Sequence, residues 1–346
     1  MIYRLTFILI LIISLEACDD PNDDAIKYDM VQINAAFVSA EQISDLRSLV
    51  IAQGDKIMKE AYYNGTSSAA IANFDVRSVT KSITATLIGI AIDQGFIDNV
   101  NQTIGELLTL YHEPLDSMIQ AVTLHQLLSM SSGMDWREIG VPSEFPDWMS
   151  APNQLDYALD KPFVGAPGTA FIYSDGGAHI VAAILESTTN MKPTAFAREH
   201  LFEPLGIGSR NWLVDKQGHN IGGAGLSIGP ADMIKIGQLY LHKGKFDGEQ
   251  VVSRSWIKTA TAPHIDTGNI LPFLDDYGYF WWLGNAHEVD YYVALGYGGQ
   301  FILVAPEREL IAVATCNWRV PTAQANNNWY NILELIIDQI IPATGE

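Results

Sequence analysis

Runs with strand character stand near the two ends of this chain, and that distribution constrains its fold more than any other feature. Near the N-terminus, LRSLVIAQGDKIMKEAYY reads as two strands joined by a turn at Gly54-Asp55. Past about residue 275, YGYFWWLG, VDYYVALGY, GGQFILVA and ELIAVATCNW are aromatic or β-branched runs broken by turn residues, among them Pro306-Glu307-Arg308-Glu309. From about 100 to 245 the signal changes to helices and long loops: TIGELLTLY, TLHQLLSM, AHIVAAILESTT and PADMIKIGQLYLHKG. ANNNWYNILELIIDQII closes the chain as an apolar-faced helix. The C-terminal strands follow one another through short turns, with no room for crossover helices, so the sheet is antiparallel. The expectation is an α/β fold of the α+β type. Its antiparallel sheet is built from N- and C-terminal segments, flanked by helices, with a mostly helical lobe inserted.

Composition narrows the function classes. At 48% hydrophobic with eight tryptophans, the 346 residues supply ample core. Forty Asp and Glu against twenty Lys and Arg give a net charge of −20, with no basic run to neutralise phosphates. That balance excludes a nucleic-acid partner.

The first residues, MIYRLTFILILIISLEACDD, place Arg4 before an apolar run from Leu5 to Leu15. The run is too short to span a bilayer and fits a signal-peptide core. Leu15-Glu16-Ala17-Cys18 resembles a bacterial lipobox, in which cleavage exposes Cys18 for lipidation. An uncleaved anchor or a secreted form is the other reading. The expected organisation is a lipoprotein signal peptide (1–17), an acidic flexible tether (18–35) and a catalytic domain (36–346). Within the domain, the sheet lobe takes about 36–100 and 245–346 and the helical lobe about 100–245. The expected location is the bacterial cell envelope, with the membrane reached through Cys18. Cys316 then stands alone in the apolar run LIAVATC and reads as a small core residue.

RSVTKSITATLIGIA, residues 77–91, carries the main chemical signal. Ser78 and Lys81 fall one turn apart on the same side of an apolar helix that stops at Asp93-Gln94-Gly95. A serine hydroxyl needs a base to become a nucleophile, and burial lowers a lysine pKa towards that role. Four-residue patterns recur by chance, and Ser255-Trp256-Ile257-Lys258 repeats this one. That copy lies in a short segment ended by Pro263 and reads as a solvated helix start.

Other candidates are weaker. Gly225-Leu226-Ser227-Ile228-Gly229 matches the nucleophile elbow of α/β-hydrolases, but no strand precedes it. Pro230 suits the first turn of a following helix, so Ser227 reads as part of a glycine-rich loop and cap. His125, His179 and His264 are scattered without metal-ligand spacing, and no metal or other cofactor is expected. In PFVGAPGTAFIYSDGGAHIVAAIL, Tyr173 and Asp175 fall at a loop tip, with a helix from Ala178. Taken alone, Tyr173 is equally a core aromatic. The glycines of Gly296-Tyr297-Gly298-Gly299-Gln300 permit close approach of a ligand, or simply a bulge or tight turn. Trp136, Trp148, Trp281 and Trp282 are candidates for an aromatic rim or for the core.

Taken in order, Ser78-x-x-Lys81, Tyr173-Ser174-Asp175 and the Gly296–Gln300 strand resemble the serine β-lactamase superfamily. The likeness is to its class C, D-alanyl-D-alanine carboxypeptidase and esterase branch, and Leu127–Met134, LFEPLGIGS and GGAGLSIGPADMIKIGQLYL also look like family segments. The resemblance implies that Ser78 is acylated, that Lys81 and Tyr173 share the acid and base duties in an order left open, and that backbone N–H groups of Ser78 and Gln300 form the oxyanion hole. It also implies that Asp175, Tyr297, Gly298 and Gly299 line the substrate site. Two departures stand out. Tyr297 occupies the place of a Lys or His, and Asp175 that of the usual Asn, which adds negative charge and raises the Lys81 pKa. Both resemble the esterase and 6-aminohexanoate-dimer hydrolase branch. A serine hydrolase of a small-molecule ester or amide is therefore expected ahead of a true β-lactamase or carboxypeptidase. The alternative is a catalytically weak tethered penicillin- or peptide-binding protein.

Overall fold

The computed structural model describes residues 27–67, 73–111, 114–139 and 143–345. Its first helix, α1 (Met30–Ala40), is capped by Asp29, whose carboxylate accepts the N–H groups of Val31 and Gln32 at 2.8 and 3.1 Å. Ile33, Ala36, Phe37 and Ala40 recur at helical spacing and are buried. The folded body therefore begins before residue 36, and residues 30–35 are helix rather than tether. The Asp29 N–H also donates to the Ala343 carbonyl at 2.8 Å, tying the two ends of the body together.

β1 (Leu46–Gln53) and β2 (Lys56–Tyr62) form the expected hairpin, with Gly54 at φ +55° in its turn. After β3 (Phe74–Asp75) comes α2 (Val79–Asp93), buried from Val79 to Ala91. The inserted lobe follows as short helices α3 (Ile104–Leu107), α4 (Ser117–Ala121), α5 (Leu124–Leu128), α6 (Phe145–Ser150) and α7 (Gln154–Leu159), then the longer α8 (Asp175–Thr189) and α9 (Pro193–Ala197). β4 (Ser227–Ile228) pairs with β3, so Ser227 sits in a two-residue ribbon and Gly229 serves as the cap of α10 (Pro230–Leu241). A small hairpin of β5 (Lys245–Phe246) and β6 (Glu249–Gln250) and helix α11 (Arg254–Ala260) lead back to the sheet. Its remaining strands are β7 (Ile265–Leu271), β8 (Leu274–Tyr277), β9 (Trp282–Ala286), β10 (Val289–Gly296), β11 (Gln300–Ala305) and β12 (Leu310–Cys316), before α12 (Thr322–Leu335).

The eight-stranded sheet has the order β2-β1-β12-β11-β10-β9-β8-β7, antiparallel throughout. N- and C-terminal strands meet at the β1–β12 pair, as the distribution of strand runs requires. β11 and β12 are buried at every residue, which explains why they read as continuous apolar runs rather than alternating ones. Ile302 and Ile311 meet α10 at Gly237, whereas Cys316, of opposite parity to Ile311, lies with Ile332 of α12 near Gly299. Helices thus cover both faces. α2 packs on β10, β11 and α8, at the junction of sheet and lobe.

Candidate active site

The chain leading into α2 is held by the β3–β4 ribbon, and the Val76 N–H donates to Leu226 at 3.0 Å. Arg77 then takes φ +52°, fixed by its N–H donating to Asp75 Oδ1 at 2.8 Å. A non-glycine residue in the left-handed region costs about 1–3 kcal/mol, and such strain collects at functional sites. Ser78 follows as the N-cap of α2, yet its side chain caps nothing. The hydroxyl is free for other work, and Lys81 Nζ donates to its Oγ at 3.0 Å.

Lys81 is 1% exposed. Three acceptors use the three protons of its ammonium: Ser78 Oγ, the Gly223 carbonyl at 2.9 Å, and Asp175 Oδ1 in a short, buried ion pair. Burial pulls the Lys81 pKa down, but Asp175 first, then Tyr173 and Glu138, push it up, and the net shift is upward. Burial does lower this lysine, as expected, but the raising effects of Asp175, Tyr173 and Glu138 together outweigh it. The effect expected of Asp175 is the one observed. Tyr173 is likewise raised, by burial, against the pull of Lys81 and hydrogen bonding to Ser78 and Lys81. The resting site holds an ammonium and a neutral phenol.

Asp175 is not at a loop tip. It is the first residue of α8, and helix starts there rather than at Ala178 because Ser174 Oγ caps the Gly177 N–H at 2.8 Å. Gly176 is needed for contact: a Cβ there would strike the Trp136 ring. The carboxylate gains from the positive end of α8 as well as from Lys81. Tyr173 lies half-buried just before the cap, its ring stacked on Trp282 at 5.5 Å and the Lys81 Nζ 4.7 Å from its centroid. Met130 positions this segment, accepting the Ile172 N–H on its carbonyl at 2.7 Å and the Ser174 N–H on its sulfur at 3.2 Å. Trp136, Trp148, Trp281 and Trp282 are all buried and belong to the core.

The turn between β10 and β11 approaches from the sheet side. Gly296 lies so close to the Val76 carbonyl that a Cβ would collide with it. Gly298 (φ +76°) and Gly299 (φ +101°) make the turn, and their missing Cβ atoms face Trp318 and Ile332. Glycine is required there by turn geometry and packing against protein. Tyr297 is 37% exposed at the tip. The Gln300 side chain is buried and spent on Cys316, donating to its carbonyl at 2.8 Å and accepting its N–H at 3.2 Å, which leaves only the backbone of Gln300 for chemistry.

The competing serines lack this setting. Ser255 Oγ is exposed and donates to Ser253 Oγ at 3.0 Å, as a helix-start residue would. His125 pairs with the Tyr279 hydroxyl at 2.7 Å, His264 with the Thr259 carbonyl at 2.9 Å and His179, through one of its two ring nitrogens, with Asp215 at 3.1 Å. Cys18 lies outside the described residues.

Two participants were not read from the sequence. Gly223 supplies the third Lys81 acceptor, and its signal was the adjacent glycines of NIGGAG. Glu138 is a carboxyl whose pKa burial, and then Asp175, push up to about 7, against Lys81 and hydrogen bonds from Ser143 and Trp136. No spacing rule flags it.

A sheet built from both termini, an inserted helical lobe and a Ser-x-x-Lys pair at their junction define a hydrolase of the serine β-lactamase superfamily. The chain belongs to the Beta-lactamase family, whose model matches residues 46–336. The 6-aminohexanoate-dimer hydrolase of Paenarthrobacter ureafaciens is 23% identical over 305 residues, spanning 82% of this chain and 75% of that protein. Among solved structures, a Bacillus anthracis protein assigned provisionally as a 6-aminohexanoate-dimer hydrolase superposes with a TM-score of 0.73 at 19% identity, covering 88% of this chain and 82% of its own. A penicillin-binding protein homologue from Caulobacter crescentus gives 0.69 at 16% identity, covering 91% and 100%. These likenesses establish the fold.

Proposed function

We propose that this protein hydrolyses a small ester or linear amide through an acyl-enzyme on Ser78. The observation that carries this reading is the 3.0 Å contact between Lys81 Nζ and Ser78 Oγ in a buried site where Asp175 accepts a second lysine proton. Passing that proton to Asp175 frees the amine. Ser78 Oγ then attacks the carbonyl carbon and its proton goes to Lys81. Tyr173 protonates the leaving alcohol or amine and is recharged by Lys81, which recovers its own proton from Asp175. Water repeats the sequence on the acyl group and restores Ser78. The Ser78 and Gln300 backbone N–H groups would hold the oxyanion, a role worth roughly 3–4 kcal/mol per donor in such sites.

Two carboxyl groups near Lys81, and Tyr297 where a Lys or His would place a cation, disfavour anionic β-lactams, which supports an ester or amide substrate; the Paenarthrobacter relative's name points to amides. Lipid anchoring at Cys18 belongs to the same reading, with palmitate incorporation abolished by Cys18→Ser as its test.

The direct test is intact mass after a fluorophosphonate, on wild type and Ser78→Ala, followed by turnover of p-nitrophenyl butyrate, 6-aminohexanoate dimer and nitrocefin. One adduct, lost in Ser78→Ala, with ester or amide turnover exceeding nitrocefin turnover, is expected. An adduct surviving Ser78→Ala, or nitrocefin as the only substrate, overturns the assignment.

A further inference from the structure

We infer that His179 is a positioning residue for the Ser78 reaction: through Asp215 it clamps the 212–226 segment onto α8 and keeps the Gly223 carbonyl on Lys81. This rests on the serine-hydrolase reading above and adds a residue that touches none of the reacting groups.

His179 lies one turn after Asp175 on α8, so the same helix carries the carboxylate of the Lys81 pair and the imidazole. It is fully buried, edge-on to Trp148 at 5.5 Å. Its Nδ1 has no hydrogen-bond partner among the described residues, while its Nε2 faces Asp215 Oδ2, a carboxylate acceptor, at 3.1 Å and donates to it. Asp215 is buried as well, and its other oxygen accepts the N–H groups of Gln217 and His219 at 2.9 and 2.8 Å. One carboxylate thus joins the helix to the bend of the segment.

The segment transmits that anchor. Bridges at Trp212–Leu226 and Val214–Asn220 make it a closed ribbon, and the Ile221 N–H donates to Leu213 at 2.9 Å. The ribbon's returning strand carries Gly222 and Gly223, which lie against α8 and α2. A Cβ on Gly222 would strike the Ala178 carbonyl, next to His179, and one on Gly223 would lie 2.6 Å from Asp175 Oδ1. The Gly222 carbonyl accepts Thr84 Oγ1 at 2.9 Å and the Gly223 carbonyl accepts Lys81 Nζ at 2.9 Å. A buried histidine–carboxylate pair is a poor means of adding stability, because desolvation offsets most of its attraction. Fixing the register between the ribbon and α8 accounts for its presence at this place.

The test measures the maximal rate and half-saturation of fluorophosphonate labelling in wild type, His179→Leu and His179→Gln, normalised to folded protein by thermal melting. Leu removes the donor, whereas Gln can present a side-chain N–H near the Nε2 position. The expected result is a fall of about tenfold or more in maximal labelling rate for His179→Leu with half-saturation unchanged, and recovery to within about threefold of wild type in His179→Gln. Hydrogen exchange over residues 212–226 should speed up in the Leu variant alone. If His179→Leu does not fold, Asp215→Asn takes its place with the same expectations for labelling rate and exchange. Equal labelling rates in the folded fractions overturn the positioning role while leaving the hydrolase reading intact. Absence of labelling in wild type overturns the hydrolase reading and the positioning role with it.

Discussion

The Gly223 carbonyl and the Lys81 ammonium stand 2.9 Å apart across 142 residues of chain. That contact completes the hydrogen bonding of a lysine with almost no access to water, and it is possible because position 223 has no side chain. A Cβ there would sit 2.6 Å from Asp175 Oδ1 and 3.1 Å from Lys81 Nζ. Gly223→Ala should therefore push the ribbon off the pair. The expected result is a loss of about 100-fold in kcat with the fold retained, since misplacing a reacting group by about 1 Å costs that order. Esterase kinetics beside a thermal melt check it; an unchanged kcat would remove Gly223 from the catalytic arrangement.

Asp175→Asn tests the balance that sets the Lys81 charge. With the carboxylate present, the Lys81 pKa is above its ordinary 10.5, so the pair stabilises the fold fully below pH 10.5 and loses that contribution as pH rises through the higher folded value. Without it, burial dominates and the folded pKa drops below 10.5, so the variant gains stability as pH rises towards 10.5. Near neutral pH the variant should be less stable by about 3 kcal/mol, the cost of leaving one member of a buried pair charged. Urea unfolding at pH 7 and pH 9.5 reads both the loss and its reversed slope.

Cys316 gives a simpler expectation. Burial, then Asp45, push its thiol up to about 12, against small opposing effects of Asn317 and Arg47. The thiolate is the reactive form, so in the Cys18→Ser protein, where Cys316 is the one thiol left, iodoacetamide at pH 8 should leave the folded protein unmodified and alkylate it once in denaturant. Alkylation of the folded protein, read by intact mass, would place this end of β12 in contact with solvent.

What the sequence revealed follows the range of the interactions. Ser78 and Lys81 are three residues apart on one helix, so local periodicity alone put them together. The Gly54 turn and the runs of β11 and β12 were legible for the same reason, each being a local pattern of turn residues or continuous burial. Asp175 was recognised but set in a loop, because Gly176-Gly177 reads as a helix breaker until Trp136 is known to press on Gly176. Helix α1 was hidden by the acidic residues before it, although its apolar stripe was present. Gly223 and Glu138 depend on chain closure across long separations and on a summed field, neither of which spacing encodes. The direction of the Lys81 shift was open for the same reason: burial and Asp175 oppose each other, and only the formed pair decides between them.

Glu138 carries the last prediction, because its titration falls within the working pH range. Its pKa is raised to about 7 by burial and then by Asp175, against Lys81 and the donors Ser143 Oγ at 2.9 Å and Trp136 Nε1 at 3.2 Å. The unfolded chain releases this proton near the ordinary 4.5, so between about 4.5 and 7 the folded state binds more protons and stability falls as pH rises through that window. Ionised Glu138 also holds the Lys81 proton more tightly, which works against transfer out of the site. Wild-type acylation should therefore show an inflection near pH 7, and Glu138→Gln should remove both that inflection and the matching slope in stability. A fluorophosphonate rate profile and urea midpoints from pH 5 to 8, taken on both proteins, measure the two effects. An inflection that persists unchanged in Glu138→Gln would assign it to another group and remove Glu138 from the electrostatics of the site.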